Sequence, residues 1–448
     1  VQNVSHRQLL QPAQLAASTG NWSRLSDCLQ DLLLGDRAIP LEDLLCDSTL
    51  APEFLDLALQ VLQFGSFHQA WDIAKILPNL NDRKVPIAIR ETLITRLVAL
   101  LTDAEVDSDV QWFAIRILSE FDHPQIIRTL IEVLRTSDND ELQTAAIAAL
   151  SKLGNTAIPV MQELLDDPAT RLFAVQALGQ IRHSEIIPLL LQVVKDSDPQ
   201  VRAIAIEALG SFHSPEITEI LVEALQDRTV PVRRTAVTSL GFRHVDECQS
   251  LDLVEHLRPL LFDLNLDVCR QSAIALGRLS IPNAVTALFE VLRSPHTPEP
   301  LALEIVRALG WSNSLDGLDA LERALDLPCS ETLRLEIFQT LGRIESLQLK
   351  SQATIVLLKA LQNSGNNSAL ARQSIALSLG QLGEHSALMP LIHLLADPDV
   401  SVRLHVISAL KLLDSEIAYH QLEQLAKTEP SHSKLGQGIA IALQEWNP

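Results

Sequence analysis

Asp198-Pro199-Gln200-Val201-Arg202-Ala203-Ile204-Ala205-Ile206-Glu207-Ala208-Leu209-Gly210 is the stretch that decides the fold of this chain. Val201, Ala205, Ala208 and Leu209 stand at i, i+4, i+7 and i+8, which is the apolar stripe of an amphipathic helix. Asp198 is a natural cap for that helix, and Pro199 suits its first turn. Just upstream, Ile186-Ile187-Pro188-Leu189-Leu190-Leu191-Gln192-Val193-Val194 is apolar at the same helical spacing. Two antiparallel helices joined by the turn Asp196-Ser197-Asp198-Pro199 account for the whole segment. Strands would need period-two alternation and β-branched enrichment, and neither is present.

The closing triplet Ala208-Leu209-Gly210 returns along the chain. It stands as Ala177-Leu178-Gly179, Ser239-Leu240-Gly241, Ala275-Leu276-Gly277, Ala308-Leu309-Gly310, Thr340-Leu341-Gly342 and Ser378-Leu379-Gly380. Degenerate copies are Ala149-Leu150-Ser151 and Ala409-Leu410-Lys411. Taken leucine to leucine, the steps are 28, 31, 31, 36, 33, 32, 38 and 31 residues. A period in this range marks a solenoid, whose units bury their apolar faces only by stacking on their neighbours. Glycine costs about 1 kcal/mol relative to alanine inside a helix, so its return to one slot needs a reason. Close approach of the next helix pair, or release of the helix into a turn, would supply it.

Seven residues before the repeat leucine stands an arginine in six units: Arg171, Arg202, Arg233, Arg334, Arg372 and Arg403. Turn acids precede several of them, among them Asp167, Asp198, Asp397 and Asp399. One reading is a structural ladder of Asp–Arg pairs tying adjacent turns together, with Arg202 near Asp198 and Arg403 near Asp399. The other is a basic stripe for an anionic ligand.

Asp-Pro-x-Val-Arg followed by Ala-x-x-Ala-Leu-Gly resembles the HEAT repeat, specifically the short variety named for phycobilisome lyases. Asp198 to Arg202 matches fully and Asp399-Val400-Ser401-Val402-Arg403 nearly so, and prolines such as Pro159, Pro188, Pro259 and Pro390 recur in that family's first helices. The resemblance covers roughly residues 108–427. It implies an all-α fold, an α-solenoid wound as a right-handed superhelix of about ten HEAT-like helix pairs with an N-terminal helical cap. Residues 1–107 then form an N-terminal helical region, 108–427 the repeat solenoid and 428–448 a C-terminal capping helix. For function, the resemblance implies either a scaffold or a bilin lyase or chromophore-handling chaperone; its matched positions are scaffold positions and carry over no bilin contact.

Hydrophobic residues make up 47% of the 448, but aromatics only 4%, so the interior is built from Leu, Ile, Val and Ala. The 35 basic against 56 acidic residues give a formal net charge of −21. That excess repels nucleic-acid phosphate and anionic lipid and favours a protein partner with a basic patch. The five cysteines are scattered without a CxxC pair, which argues against zinc ribbons and suggests a reducing, cytoplasmic setting. No eighteen-residue uncharged apolar run is present, so no membrane insertion is expected.

Residues 1–107 lack the arginine and Leu-Gly signature but still read as helices at Trp22 to Leu34, Pro52 to Phe64 and Val85 to Leu101. They are either degenerate pairs capping the solenoid or a separate docking module, with Ile39-Pro40, Leu77-Pro78-Asn79 and Asp103 to Asp109 as candidate joints. Two insertions break the rhythm, His244 to Ser250 and Gln362 to Ser368.

The chemistry motifs are missing: no P-loop, GxSxG, GxGxxG, HExxH or calcium loop appears. None of the thirteen histidines is followed by Glu, unlike the di-iron HEAT-like deoxyhypusine hydroxylases, so no metal is expected. His123, His183, His213, His244 and His385 follow second helices and read as turn and capping residues. His244, Asp246, Glu247, Cys248 and His256 have ligand chemistry but no helix-fixed spacing. Carboxylates are expected on turns and solvated helix faces, without acid–base work. A catalytic set is therefore not expected, and the remaining candidates are partner contacts. Arg234, Phe242 and Trp311 break an otherwise bland concave surface between Arg171 and Arg343. Trp311 is either an exposed anchor or a plug beside the irregular loop Ser294 to Pro298. Together these features point to a non-catalytic protein-binding scaffold or accessory factor, and the family resemblance implies phycobilisome or photosystem biogenesis as its setting. No cofactor is called for unless a bilin is handled.

Overall fold

The apolar stripes read from the sequence become helices throughout a computed structural model that describes residues 7–34, 50–82, 84–243, 252–363 and 368–446. No strand occurs among the described residues, and the chain is an all-α solenoid. In the founding stretch the helix runs Pro199–Gly210, with Val201, Ala205, Ala208 and Leu209 all buried. The Asp198 carboxylate accepts the Gln200 amide at 2.8 Å, which supplies the expected cap. Residues 244–250, and 364–367 of the second insertion, lie outside the described residues, as do Ile39, Pro40, Cys46 and Cys248.

Two compact units divide the chain, Val1–Ser211 and Phe212–Pro448. In the first, helix pairs begin at Arg7–Ser18 with Trp22–Leu34 and continue through Leu50–Phe64 with Phe67–Ile76. Ile87–Thr102 pairs with Ser108–Leu118, and Pro124–Thr136 with Asp140–Leu153. The pairing thus begins well before the sequence signature does. In the second unit the second helices are Val230–Leu240, Leu266–Leu279, Glu299–Trp311, Glu331–Gly342 and Ala369–Leu382. Each packs on the next, so second helices form one continuous layer and first helices another.

The prolines of two first helices fall at their starts, while at Pro259 the helix Leu253–Leu257 gives way to a 3-10 stretch, Arg258–Phe262. Pro159 and Pro188 stand in the first turns of Ile158–Asp166 and Ile187–Val193, directly after 3-10 turns at Gly154–Thr156 and Ser184–Ile186. A residue without an amide hydrogen is tolerated there because the first-turn amides have no helical acceptor. At the C-terminal end, Val400–Thr428 is broken by extended backbone at Asp414, whose carboxylate accepts the Ile417 amide at 3.0 Å. Lys434–Trp446 folds back onto this helix, with Lys411 Nζ 5.4 Å from the Trp446 ring.

The repeat glycines lie where successive second helices touch. A Cβ on Gly241 would stand 2.9 Å from the Ala275 Cβ, and one on Gly277 would stand 2.7 Å from the Ala308 carbonyl oxygen. Gly342 faces Ser378 and Gly380 faces Ala409 in the same way. Each glycine therefore meets the small residue that opens the next unit's triplet, and the two conserve one another's space. Gly179 is the exception: its added Cβ would meet only Ile204 Cγ2 at 3.4 Å and Ala208 Cβ at 3.8 Å, ordinary contacts. Gly179→Ala should accordingly raise stability, by up to about 1 kcal/mol, because helix propensity improves without a clash. Chemical denaturation of the two proteins would measure it, and a lower midpoint for the alanine form would contradict this placement.

Candidate functional site

The arginines of the repeat reach across unit junctions. Arg171 Nη1 donates to Asp196 Oδ2 at 2.8 Å, in the turn of the following unit. Arg233 grips Asp263 with two bonds of 2.7 and 2.9 Å, and Arg372 grips Asp397 with two of 2.6 and 3.0 Å. A fork-to-carboxylate geometry of this kind is available to arginine and not to lysine. The acid engaged is the first of each turn, not the helix-capping acid expected from the sequence. Asp399 accepts the Ser401 and Val402 amides, while Arg403 Nη1 donates to the carbonyl oxygens of Asp397 and Pro398. Arg202 Nη1 likewise donates to the Asp196 and Ser197 carbonyl oxygens. Arg334 is the fourth residue of Glu331–Gly342 and is half-buried.

The Arg233–Asp263 pair is buried enough to alter titration. Burial pushes the Asp263 carboxyl upward, but the Arg233 hydrogen bond, the Asn265 amide and the Arg233 charge outweigh it and hold it below its ordinary value. The Asp263 hydrogen bond raises Arg233 in return. Not every carboxylate lies on a solvated surface, either. Glu304 is 5% exposed, within 3.4 Å of Arg270 and 3.6 Å of Arg307, and Arg307 also holds Glu336 at 2.9 Å. This alternating chain runs across three second helices.

The position just after the repeat glycine recurs at the C-terminal ends of the second helices of the C-terminal unit: Phe242 and Arg343 just past their helices, Arg278 and Trp311 within theirs. Phe242 is 59% exposed and Trp311 53% exposed, so Trp311 plugs no gap in the core. The Arg278 guanidinium lies 4.4 Å from the Phe242 ring centroid, a cation–π contact. Arg234, eight residues before Phe242 on Val230–Leu240, is also exposed.

A second feature went unread in the sequence. Between Ser108–Leu118 and Asp140–Leu153 lies a groove of about 580 Å³, walled by Trp112, Ile115 and Arg116 and floored by Thr144, Ala145 and Ala148. Its floor is made of the small side chains Thr144, Ala145, Ala148 and Ala149, which leave space against the Trp112 wall. Trp112 belongs to a cluster with Trp71, at 6.2 Å between centroids, and Phe113. The signal available was this pairing of a tryptophan with an Ala-rich helix one unit on. The next groove along, of about 490 Å³, is of mixed character, lined by Gln176, Gln180, Arg182 and Glu207 beside Ile147 and Ile204.

Histidines do cap helices at two of the expected places. His123 Nδ1 accepts the Gln125 amide at 3.2 Å, and His183 Nδ1 accepts the Glu185 amide at 3.4 Å. Among the described residues no group of three or more His, Cys, Asp or Glu is placed to hold a metal ion. Of the candidate cluster, His244, Asp246, Glu247 and Cys248 lie outside those residues. Cys28 and Cys269 are free thiols, and burial pushes both upward, away from the reactive thiolate. No helix among the described residues is long and apolar enough to cross a membrane.

A family model for HEAT repeats matches residues 94–170, 166–241 and 354–444, which together make up more than half of the chain. No curated protein matches by sequence. Among solved structures, the chain superposes with a TM-score of 0.60 on one described as a Kap95:Nup1 complex, at 14% identity, covering 100% of this chain and 68% of that one. The structure described as Kap121p bound to Pho4p gives 0.58 at 15% identity, covering 99% of this chain and 53% of that one. Kap121p bound to Nup53p gives 0.58 at 14% identity, covering 98% and 53%. At these identities the likeness speaks to the fold.

Proposed function

Because the chain belongs to the HEAT-repeat family, we propose that it works as a non-catalytic scaffold or assembly factor that binds another protein along its layer of second helices. The observation that carries this is the exposed set Phe242, Arg278, Trp311 and Arg343, each just after the repeat glycine at the C-terminal end of a successive second helix. Large aromatic and arginine side chains held rigidly in solvent are what hot spots are made of. The similar solved structures include Kap121p bound to Pho4p and to Nup53p, two protein partners. The net charge of −21 favours a partner with a basic patch over nucleic acid. Cytoplasmic placement belongs to the same proposal.

Phe242→Ala and Trp311→Ala should each weaken capture of such a partner about tenfold or more without changing the helical signal. The measurement is affinity of the purified pair, read beside circular dichroism. If binding survives both changes and disappears on deleting residues 1–107, the recognition surface lies in the N-terminal helices instead.

The narrower setting, phycobilisome or photosystem biogenesis, rests on the repeat resemblance of Asp198 to Gly210. Bilin handling, as lyase or chaperone, is favoured by one observation, the apolar groove of about 580 Å³ beside Trp112. Its two cations, Arg116 and Lys152, would have to meet the propionates. Mixing the protein with a bilin and scanning visible absorbance tests this directly, since an unchanged spectrum removes the reading.

A further inference from the structure

The groove between Ser108–Leu118 and Asp140–Leu153 has unequal charge along its length. Arg116 stacks on Trp71 at 4.5 Å and approaches Trp112 at 5.8 Å, so its charge lies over the rings. Lys152, at the far end, is ion-paired with Glu120. Both cations of the lining are thus engaged. At the opposite end Asp140 and Glu141 are exposed, occupy the first turn of their helix and make no ion pair among the described residues. Asn139 caps that helix, accepting the Glu141 and Leu142 amides at 2.9 and 3.3 Å, so neither acid is needed for capping. Between the two ends the surface is apolar, with Trp112 and Ile115 facing Ala145 and Ala148.

We infer that this groove binds a cationic amphipathic segment of a partner protein, with a bulky apolar side chain against Trp112 and a lysine or arginine at Asp140 and Glu141. The volume, about 580 Å³, lies in the range of pockets that bury drug-sized ligands, and so has room for several side chains of one segment. An anionic ligand would meet two unpaired acids and two cations already occupied. A neutral apolar ligand would leave the acids without a role. A cationic amphipathic segment uses the anchor and the charge together. The assignment rests on the protein-binding function proposed above and adds a place and a partner chemistry to it.

The test uses the full chain and a fluorescently labelled synthetic peptide, with leucine at i, i+3, i+4 and i+7 and lysine elsewhere, read by anisotropy at physiological salt. A second peptide carries glutamate in place of lysine. Ala148→Phe fills the groove at an exposed position and should weaken the lysine peptide about tenfold or more, with circular dichroism unchanged. The double variant D140N/E141Q should weaken it several-fold and flatten its salt dependence. The glutamate peptide should bind at least about tenfold more weakly than the lysine peptide. Phe242→Ala and Trp311→Ala should leave the lysine peptide unaffected. Wild-type affinity in Ala148→Phe would mean general adsorption to an acidic surface and would overturn the inference, as would equal binding of the two peptides. Those failures leave the scaffold reading standing, since it is read by partner capture and its loss in Trp311→Ala. Absence of any captured protein partner would sink the scaffold reading while the peptide titration still reports on the groove.

Discussion

Replacing Arg233 with alanine is expected to destabilise the protein by about 3 kcal/mol, because it strands a buried carboxylate. The side chains of Arg233 and Asp263 are only 14% and 8% exposed, and both guanidinium-to-carboxylate bonds vanish together. The Asp263 oxygens would keep the Asn265 amide, at 2.8 Å, and little else. Arg258 is the internal control. Its pair with Glu290 is 2.7 Å long but 48% and 40% exposed, so Arg258→Ala should change stability by less than about 1 kcal/mol. The larger effect carries a pH signature. Asp263 is held below its ordinary value in the fold, so its contribution is complete above the unfolded-state pKa of about 3.9. It is lost as the pH falls through the lower, folded pKa. Arg233→Ala should therefore flatten the acid limb of the stability curve as well as lower its plateau. Urea titrations across pH check both, and equal losses in Arg233→Ala and Arg258→Ala would refute the burial argument.

The second large effect is steric. Gly277→Leu should cost about 1–3 kcal/mol or more through overpacking. Its first added atom would already lie 2.7 Å from the Ala308 carbonyl oxygen and 2.9 Å from the Ala308 Cα. Backbone cannot swing aside as a long side chain can, so the Leu266–Leu279 and Glu299–Trp311 helices would have to separate. That separation would also stretch the Arg270–Glu304 contact, now 3.4 Å. A melting temperature unchanged by Gly277→Leu would show that the junction is looser than these distances imply.

Much of the fold was legible because its rules are local. The helix stripe, the turn acids and the glycine slot all repeat within one unit, so Asp198 to Gly210 contains them. Which acid crosses a junction was not legible. Two acids stand two residues apart in a turn such as Asp397-Pro398-Asp399, and sequence spacing does not say which faces the preceding arginine. The capping acid must point along its own helix, which leaves the earlier one for Arg372. Glu304 departs from the general expectation of solvated carboxylates for a related reason. Its position on an arginine-bearing helix looks solvated until Arg270 and Arg307, from two helices, close over it. The groove escaped notice because an alanine run reads as core, and only the fold sets Ala145 and Ala148 opposite Trp112. Phe242 and Trp311 were singled out for their residue type in the post-glycine slot, and both are exposed there.

The first acid of three turns, Asp196, Asp263 and Asp397, bonds in two directions at once. Asp196 closes its own turn by accepting the Asp198 amide at 2.8 Å through Oδ1, while Oδ2 holds Arg171 of the unit before. Asp397 does the same for the Asp399 amide and Arg372. Local order and neighbour order therefore share one carboxylate, and neither is fully formed without the other. In the language of a one-dimensional lattice, the site energy and the coupling energy are not separate quantities here. An array wired this way gains little from a unit that folds alone, and much from one that folds against a folded neighbour. Order should spread along it as a moving front, with each completed turn offering the next arginine its acceptor.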